Sequence, residues 1–287
     1  MSVPSAIPRR IPLAKTVSGG NDFLQLEHSD VPPEWLSGTH EPFMRICDRH
    51  SGMGADGLVI RKRIAPGTFE FRVFNRDGKE AELSGNGMAG CAAIVFSRHP
   101  AMKSLTLITA VGRRRVSCRS REFPLVEMTV EIGPADFSNP RQFPFLETRW
   151  KRYTRDGIEF YPVSVGNPHA VCLLPRSFPE KEMLPLAERL QKSPIFPEGV
   201  NVEVVRPTER EHRWEARFIE RGVGITHSSS TGCAAIYAVL QRLRLVKNRV
   251  LLSTTGCAGI QISGKPNAIK VENTTRIVYK GEYVSQF

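Results

Sequence analysis

Asn75-Arg76-Asp77-Gly78-Lys79-Glu80-Ala81-Glu82-Leu83-Ser84-Gly85-Asn86-Gly87 runs into the small, apolar stretch Met88-Ala89-Gly90-Cys91-Ala92-Ala93-Ile94-Val95-Phe96, and the same design returns at 220–240. In both copies an alternating, strand-like run (Phe69 to Phe74, Trp214 to Ile219) ends at a polar residue, Asn75 or Glu220. Nine residues later a serine, Ser84 or Ser229, opens an apolar segment. Further upstream, Gly19-Gly20-Asn21-Asp22 is matched by Val165-Gly166-Asn167-Pro168-His169; Asn21 to Ser84 spans 63 positions and Asn167 to Ser229 spans 62. An internal repeat of this kind governs the fold reading before any single motif does. The segments after Gly87 and Gly232 are apolar all round, which predicts central, buried helices. The Ser, Gly, Asn and Thr residues ahead of them are helix-capping chemistry.

The rest is strand-like: 57–60, 105–109, 126–132, 170–174, 200–205, 250–253, 260–263 and 277–284. Residues 42–48 suggest an amphipathic helix, whereas the proline-rich segments 134–144 and 175–197 read as connectors with little apolar periodicity. The expected class is α+β: two pseudo-symmetric lobes, each a strongly curved, mostly antiparallel sheet wrapped around a central buried helix. The expected division is 1–131 plus 274–287 for one lobe and 132–273 for the other.

The 287 residues carry 40% hydrophobic and 24% charged side chains, ordinary globular usage that excludes disordered, collagen-like and coiled-coil classes. No run approaches a membrane span, and no apolar stretch behind Arg9 and Arg10 suggests a secretory signal. Six irregularly spaced cysteines form neither a disulfide framework nor a Cys-x-x-Cys zinc pattern, so a reducing cytoplasm and no metal are expected. The net charge of +11 raises nucleic acid as a partner, but the basic residues are scattered. The one dense run, Arg113 to Arg121, alternates like a hairpin with a solvated outer face and lacks interleaved aromatics. Surface charge, or attraction of a small anion, is the better reading. Gly52-x-Gly54 is not a phosphate loop, since no Lys-Ser/Thr follows.

Related by a two-fold axis, the two helix N-termini would face one cleft, and their unpaired N–H groups and partial positive charge make a carboxylate site. Asn21, Asn75, Asn86, Asn167 and Asn201 both donate and accept, and Glu220 and Arg221 could take opposite charges of a zwitterion. Taken singly these are turn and cap residues. The matched spacing is what makes an amino acid between two lobes the expected ligand.

The segments SGGNDF (18–23), DRHSGMGADGL (48–58), FNRDGKEAELSGNG (74–87), VGNPH (165–169), EGVNV (198–202) and ERGVGITHSSSTG (220–232) resemble the diaminopimelate epimerases, and more broadly the PLP-independent amino-acid racemases of the same two-lobed fold. The resemblance implies an isomerase of lysine biosynthesis that needs no cofactor, and it leaves a homodimer open. It implies that each lobe supplies a thiol, one removing the α-proton and the other returning a proton to the opposite face. It further implies that Asn21, Asn75, Asn167, Asn201, Glu220 and Arg221 hold amino and side-chain groups, with the α-carboxylate on the backbone of Gly85, Asn86, Ser230 and Thr231.

The chain departs from that pattern where it matters most. Ser84 and Ser229 stand at the two thiol positions, and Gly57, Ile225 and Ser230 also differ from the family's usual Gln, Glu and Gly. Cys91 and Cys233 lie a turn or more inside the helices and do not replace the thiols. A thiol ionises near ~8.5 and an unassisted alcohol much closer to water's ~15.7, so roughly five units of basicity cost on the order of 7 kcal/mol. Helix dipoles offset about 1 to 2 kcal/mol at each site. Three situations would place serines here. A thiol enzyme has been substituted deliberately, which the changes at 225 and 230 count against; a relative has altered chemistry, with His169 or Glu220 as base for racemization, dehydration or isomerization; or a relative has kept amino-acid binding and lost catalysis.

Overall fold

The computed structural model describes residues 9–146, 150–210 and 212–285. The first half runs β1 (Arg9–Ser18), β2 (Asn21–Glu27), α1 (Pro33–Ser37), α2 (Glu41–Cys47), β3 (Gly57–Ala65), β4 (Thr68–Asn75), β5 (Glu80–Ala81), α3 (Gly85–Arg98), β6 (Ser104–Thr109), β7 (Gly112–Glu122) and β8 (Leu125–Gly133). After a short β9 (Tyr153–Arg155), the second half repeats that order. It runs β10 (Ile158–Ser164), β11 (Pro168–Leu173), α4 (Glu180–Gln191), β12 (Asn201–Pro207), β13 (Arg213–Glu220), β14 (Gly224–Thr226), α5 (Ser230–Arg242), β15 (Arg249–Ser253), β16 (Ile260–Lys265) and β17 (Ala268–Ser285).

Strand pairing carries the repeat into three dimensions. β2 and β3 are parallel, with Phe23 opposite Gly57 and Gln25 opposite Val59; β11 and β12 are parallel, with His169 opposite Asn201 and Val171 opposite Glu203. The first ring follows β1–β2–β3–β4–β6–β7–β8–β17 and closes where β17 pairs with β1. The second follows β10–β11–β12–β13–β15–β16–β17–β8, and a bridge between Asp136 and Ser164 closes it. β8 and β17 therefore belong to both rings.

Helix α3 fills the first ring and α5 the second, packing against the inner faces of the strands around them. Residues 85–96 of α3 and 230–240 of α5 are buried on every side, as a helix without a polar face must be. Period-two alternation then sorts each strand. On β12, Val202 and Val204 face outward under α4, while Val205 faces the core around α5. On β3, Leu58 and Ile60 face outward under α1 and α2, while Val59 faces α3.

Two expectations need correction. Segment 175–197 is not a bare connector: Glu180–Gln191 is helical despite Pro185, because Met183, Ala187 and Leu190 form one buried stripe over β12 and β13. In the basic run, Arg114 is not on a solvated face. It turns inward, buried, with its guanidinium packed against the backbone of Gly133 and Nη1 donating to the Arg113 carbonyl at 2.9 Å. Burial lowers its proton affinity. No helix among the described residues is long and apolar enough to cross a membrane.

Candidate active site

The two central helices meet end to end. Ser84 caps α3 and Ser229 caps α5 in nearly the same extended conformation (φ −142°, ψ 115° and φ −132°, ψ 119°). Each hydroxyl accepts from the N–H three residues on, Gly87 or Gly232, at 3.1 Å. The cap thus occupies the third N–H of each helix, and geometry leaves the first two, on Gly85 and Asn86 and on Ser230 and Thr231, free of intrahelical acceptors. Four donors and two positive helix ends converge, an arrangement suited to one carboxylate.

Gly85 must be glycine for the helices to approach this closely. A Cβ there would lie 2.4 Å from the Ser230 Cβ. Asn86 pins the junction: its Oδ1 accepts from Ser230 Oγ at 2.5 Å and from Asn273 Nδ2 at 3.3 Å, and its Nδ2 donates to the Ser228 carbonyl at 3.0 Å. The Asn86 side chain is therefore committed to structure, and its backbone is what faces the cleft.

A narrow cleft of about 30 Å³ opens between the lobes, lined by Asn75, Ser84, Gly85, Asn86, Asn167, Asn201, Glu220, Arg221, Ser229, Ser230 and Thr231 together with Phe23, Glu82 and Val223. Of the residues singled out from the sequence, two are not among its lining. Asn21 lies behind it, donating to Asp56 at 2.7 Å and accepting from Asn86 at 3.2 Å. His169 is fully buried behind the cleft wall, with Nδ1 on Glu203 Oε1 at 2.7 Å and Nε2 on Oδ1 of the lining residue Asn167 at 2.9 Å, so both ring nitrogens are engaged.

Glu82, Phe23 and Val223 were not recognisable as cleft residues from their types. Glu82 forms an ion pair with Arg221 across the lobes, and Asn75 Nδ2 donates to the Arg221 carbonyl at 3.3 Å. Asn201 fixes the same loop from its own lobe, accepting from Arg221 N at 3.0 Å.

Glu220 has the most telling electrostatics. Burial pushes its carboxyl up to about 7, the hydroxyl of Ser229 works against that, and the negative charges of Glu203 and Asp56 add to it. The carboxyl is thus poised between acid and base near neutral pH. Cys91 and Cys233 are no alternative: both are fully buried, and burial pushes the Cys91 thiol up to about 12 and that of Cys233 well above its usual range.

The diaminopimelate epimerase family model matches residues 13–138 and 161–284. The chain belongs to the diaminopimelate epimerase family. It is 31% identical over 279 residues to a diaminopimelate epimerase of Nitrosospira multiformis, covering 93% of this chain and 96% of that one. It is 29% identical over 270 residues to one of Caldanaerobacter subterraneus, covering 92% and 96%. In fold it is similar to a hydroxyproline epimerase from Agrobacterium vitis, solved with trans-4-hydroxy-L-proline bound (TM-score 0.74, 13% identity, 97% of this chain and 94% of that one). Two lobes closing on one cleft is accordingly the architecture of a PLP-independent amino-acid epimerase or racemase.

Proposed function

We propose that the chain is an isomerase-type enzyme that moves the α-proton of a small amino acid held between the lobes, with Glu220 as the proton-transfer group beside Ser229. The observation that carries this reading is the Glu220 carboxyl lining the cleft with a capping serine where two helix N-termini converge, a setting whose burial pushes it up to about 7. Deprotonated Glu220 takes the α-proton, and the C–H electron pair stays on the α-carbon, spread into the α-carboxylate. The growing charge on that carboxylate falls on the four free N–H groups of residues 85, 86, 230 and 231, donors already in place before the reaction. Once the proton on Glu220 has been replaced by one from solvent, its return to the same face exchanges the hydrogen without inversion; a solvent proton delivered at the opposite face, where Ser84 stands, inverts the centre. His169 is the weaker base candidate because Glu203 and Asn167 hold both its nitrogens.

The cleft is narrow, and admitting an amino acid requires the lobes to part. The Glu82–Arg221 pair and the Asn75–Arg221 bond are what must open. All six cysteines are free, which fits the reducing cytoplasm in which we place the protein.

The test is α-hydrogen exchange: candidate amino acids are incubated with the protein in D₂O and the α-proton is followed by NMR. Exchange should rise with pH through about 7 as Glu220 loses its proton. An amino acid that binds demonstrably but never exchanges would overturn the enzymatic reading. The serines at both thiol positions favour, in that case, a protein that binds amino acids without turning them over.

A further inference from the structure

The two rings share a register, but the repeat is chemically broken at one level. β2 and β3 place Phe23 opposite Gly57 and Gln25 opposite Val59, while β11 and β12 place His169 opposite Asn201 and Val171 opposite Glu203. Phe23 is thus the counterpart of His169, and Val59 that of Glu203. Both members of the second pair point inward, on the same strand faces as Val171 and Val205.

The first turns of the two helices feel this difference directly. A Cβ at Gly87 of α3 would lie 3.2 Å from Val59 Cγ2, whereas a Cβ at Gly232 of α5 would lie 2.8 Å from Glu203 Oε1. An apolar methyl supports the start of one helix, and a carboxylate, 0% exposed, supports the start of the other. Such a group is costly to bury, the more so because its Oε2 has no hydrogen-bond partner while Oε1 bonds His169 at 2.7 Å. Stability alone would favour valine, as in the first lobe.

We propose that Glu203 is a positioning residue that makes the second lobe, and not the first, the proton-transfer face of the cleft. It acts through two neighbours. It holds His169, which in turn holds Asn167 at the cleft wall. From beneath the first turn of α5, its negative charge also raises the Glu220 carboxyl, as does Asp56 from the loop ahead of β3, while the Ser229 hydroxyl that caps α5 opposes them. In the first lobe the position of Glu203 is held by Val59, which carries no charge. Two lobes alike in backbone therefore differ in acid–base capacity, and proton transfer runs from the Ser229 side.

This rests on the proton-transfer reading of Glu220, but its test does not depend on turnover. In protein carrying ¹³C at glutamate side-chain carboxyls, Glu220 is assigned by its loss in Glu220→Gln and then titrated in wild type, Glu203→Gln and Glu203→Val. Glu203→Gln keeps an acceptor for His169 and removes the charge; Glu203→Val copies the first lobe. The Glu220 midpoint should fall by about one unit in each variant that folds, the size of effect a close like charge exerts. The His169 Nδ1–H signal should persist in Glu203→Gln. An unmoved midpoint in folded Glu203→Gln overturns the proposal. A shifted midpoint in a protein whose wild type exchanges no α-hydrogen upholds the role of Glu203 and removes only the enzymatic reading.

Discussion

Replacing Glu220 by glutamine should make the protein more stable at alkaline pH, and the size of the gain follows from the site. A glutamate carboxyl titrates near 4.5 when unperturbed and at about 7 here. Raising a folded-state pKa above its unfolded value means that the folded state binds the proton more tightly. That contribution is complete below pH 4.5 and disappears as pH rises through about 7. The difference of about 2.5 units corresponds to about 3 kcal/mol, of which roughly 2.5 kcal/mol falls between pH 5 and pH 8. Glu220→Gln loses this dependence, because its amide does not ionise. Urea denaturation of both proteins at pH 5 and pH 8 measures it: the variant should gain on wild type by about 2 to 3 kcal/mol between the two conditions. Asp22 does not interfere, since Lys15 and Arg49 hold its carboxyl at about 2 despite burial, and its contribution is lost only as pH falls below that of an ordinary aspartate. A gap between variant and wild type that is the same at both pH values would refute the placement of Glu220 in a desolvated, negatively charged setting.

Other outcomes are as definite. Gly85→Ala should destabilise the protein by about 1 to 3 kcal/mol by overpacking against Ser230, and Gly85→Ala combined with Ser230→Gly should recover part of that loss in thermal denaturation. Cysteine at both 84 and 229 should speed α-hydrogen exchange by about 100-fold or more, since a thiolate forms far more readily than an alkoxide; an unchanged rate would show that the rest of the cleft is not built for two-base transfer. Glu82→Gln should loosen the cross-lobe contact at Arg221, seen as faster amide hydrogen exchange at 220–223.

Much of this architecture was legible because the repeat has two independent signatures, capping serines and helices without a polar face. The strand that leads up to each polar end residue and the strand at 200–205 were also readable. The α4 helix was hidden by Pro179 and Pro185, although Met183, Ala187 and Leu190 carry helical spacing. At the site, residue type pointed to His169, yet parity places it on the same inner face as Glu203, where a carboxylate can hold it. Glu203 itself was visible only as a charge in an apolar strand. That anomaly is a signal when the two flanking valines face outward. Glu82 lies two residues before Ser84 and pairs with a side chain from the other half of the chain. Local patterning carries no trace of such a partner.

The wall common to both rings sets the order in which the molecule can become whole. Arg9 to Ser18 find their partners at Ser285 to Thr275, almost the full length of the polypeptide away. A chain interrupted before residue 275 would hold α3 in a staved barrel missing one plank, its oily sides open to water. Contacts so distant in sequence also predict slow folding. The first lobe is begun early and finished last, and neither lobe can be cut out and kept.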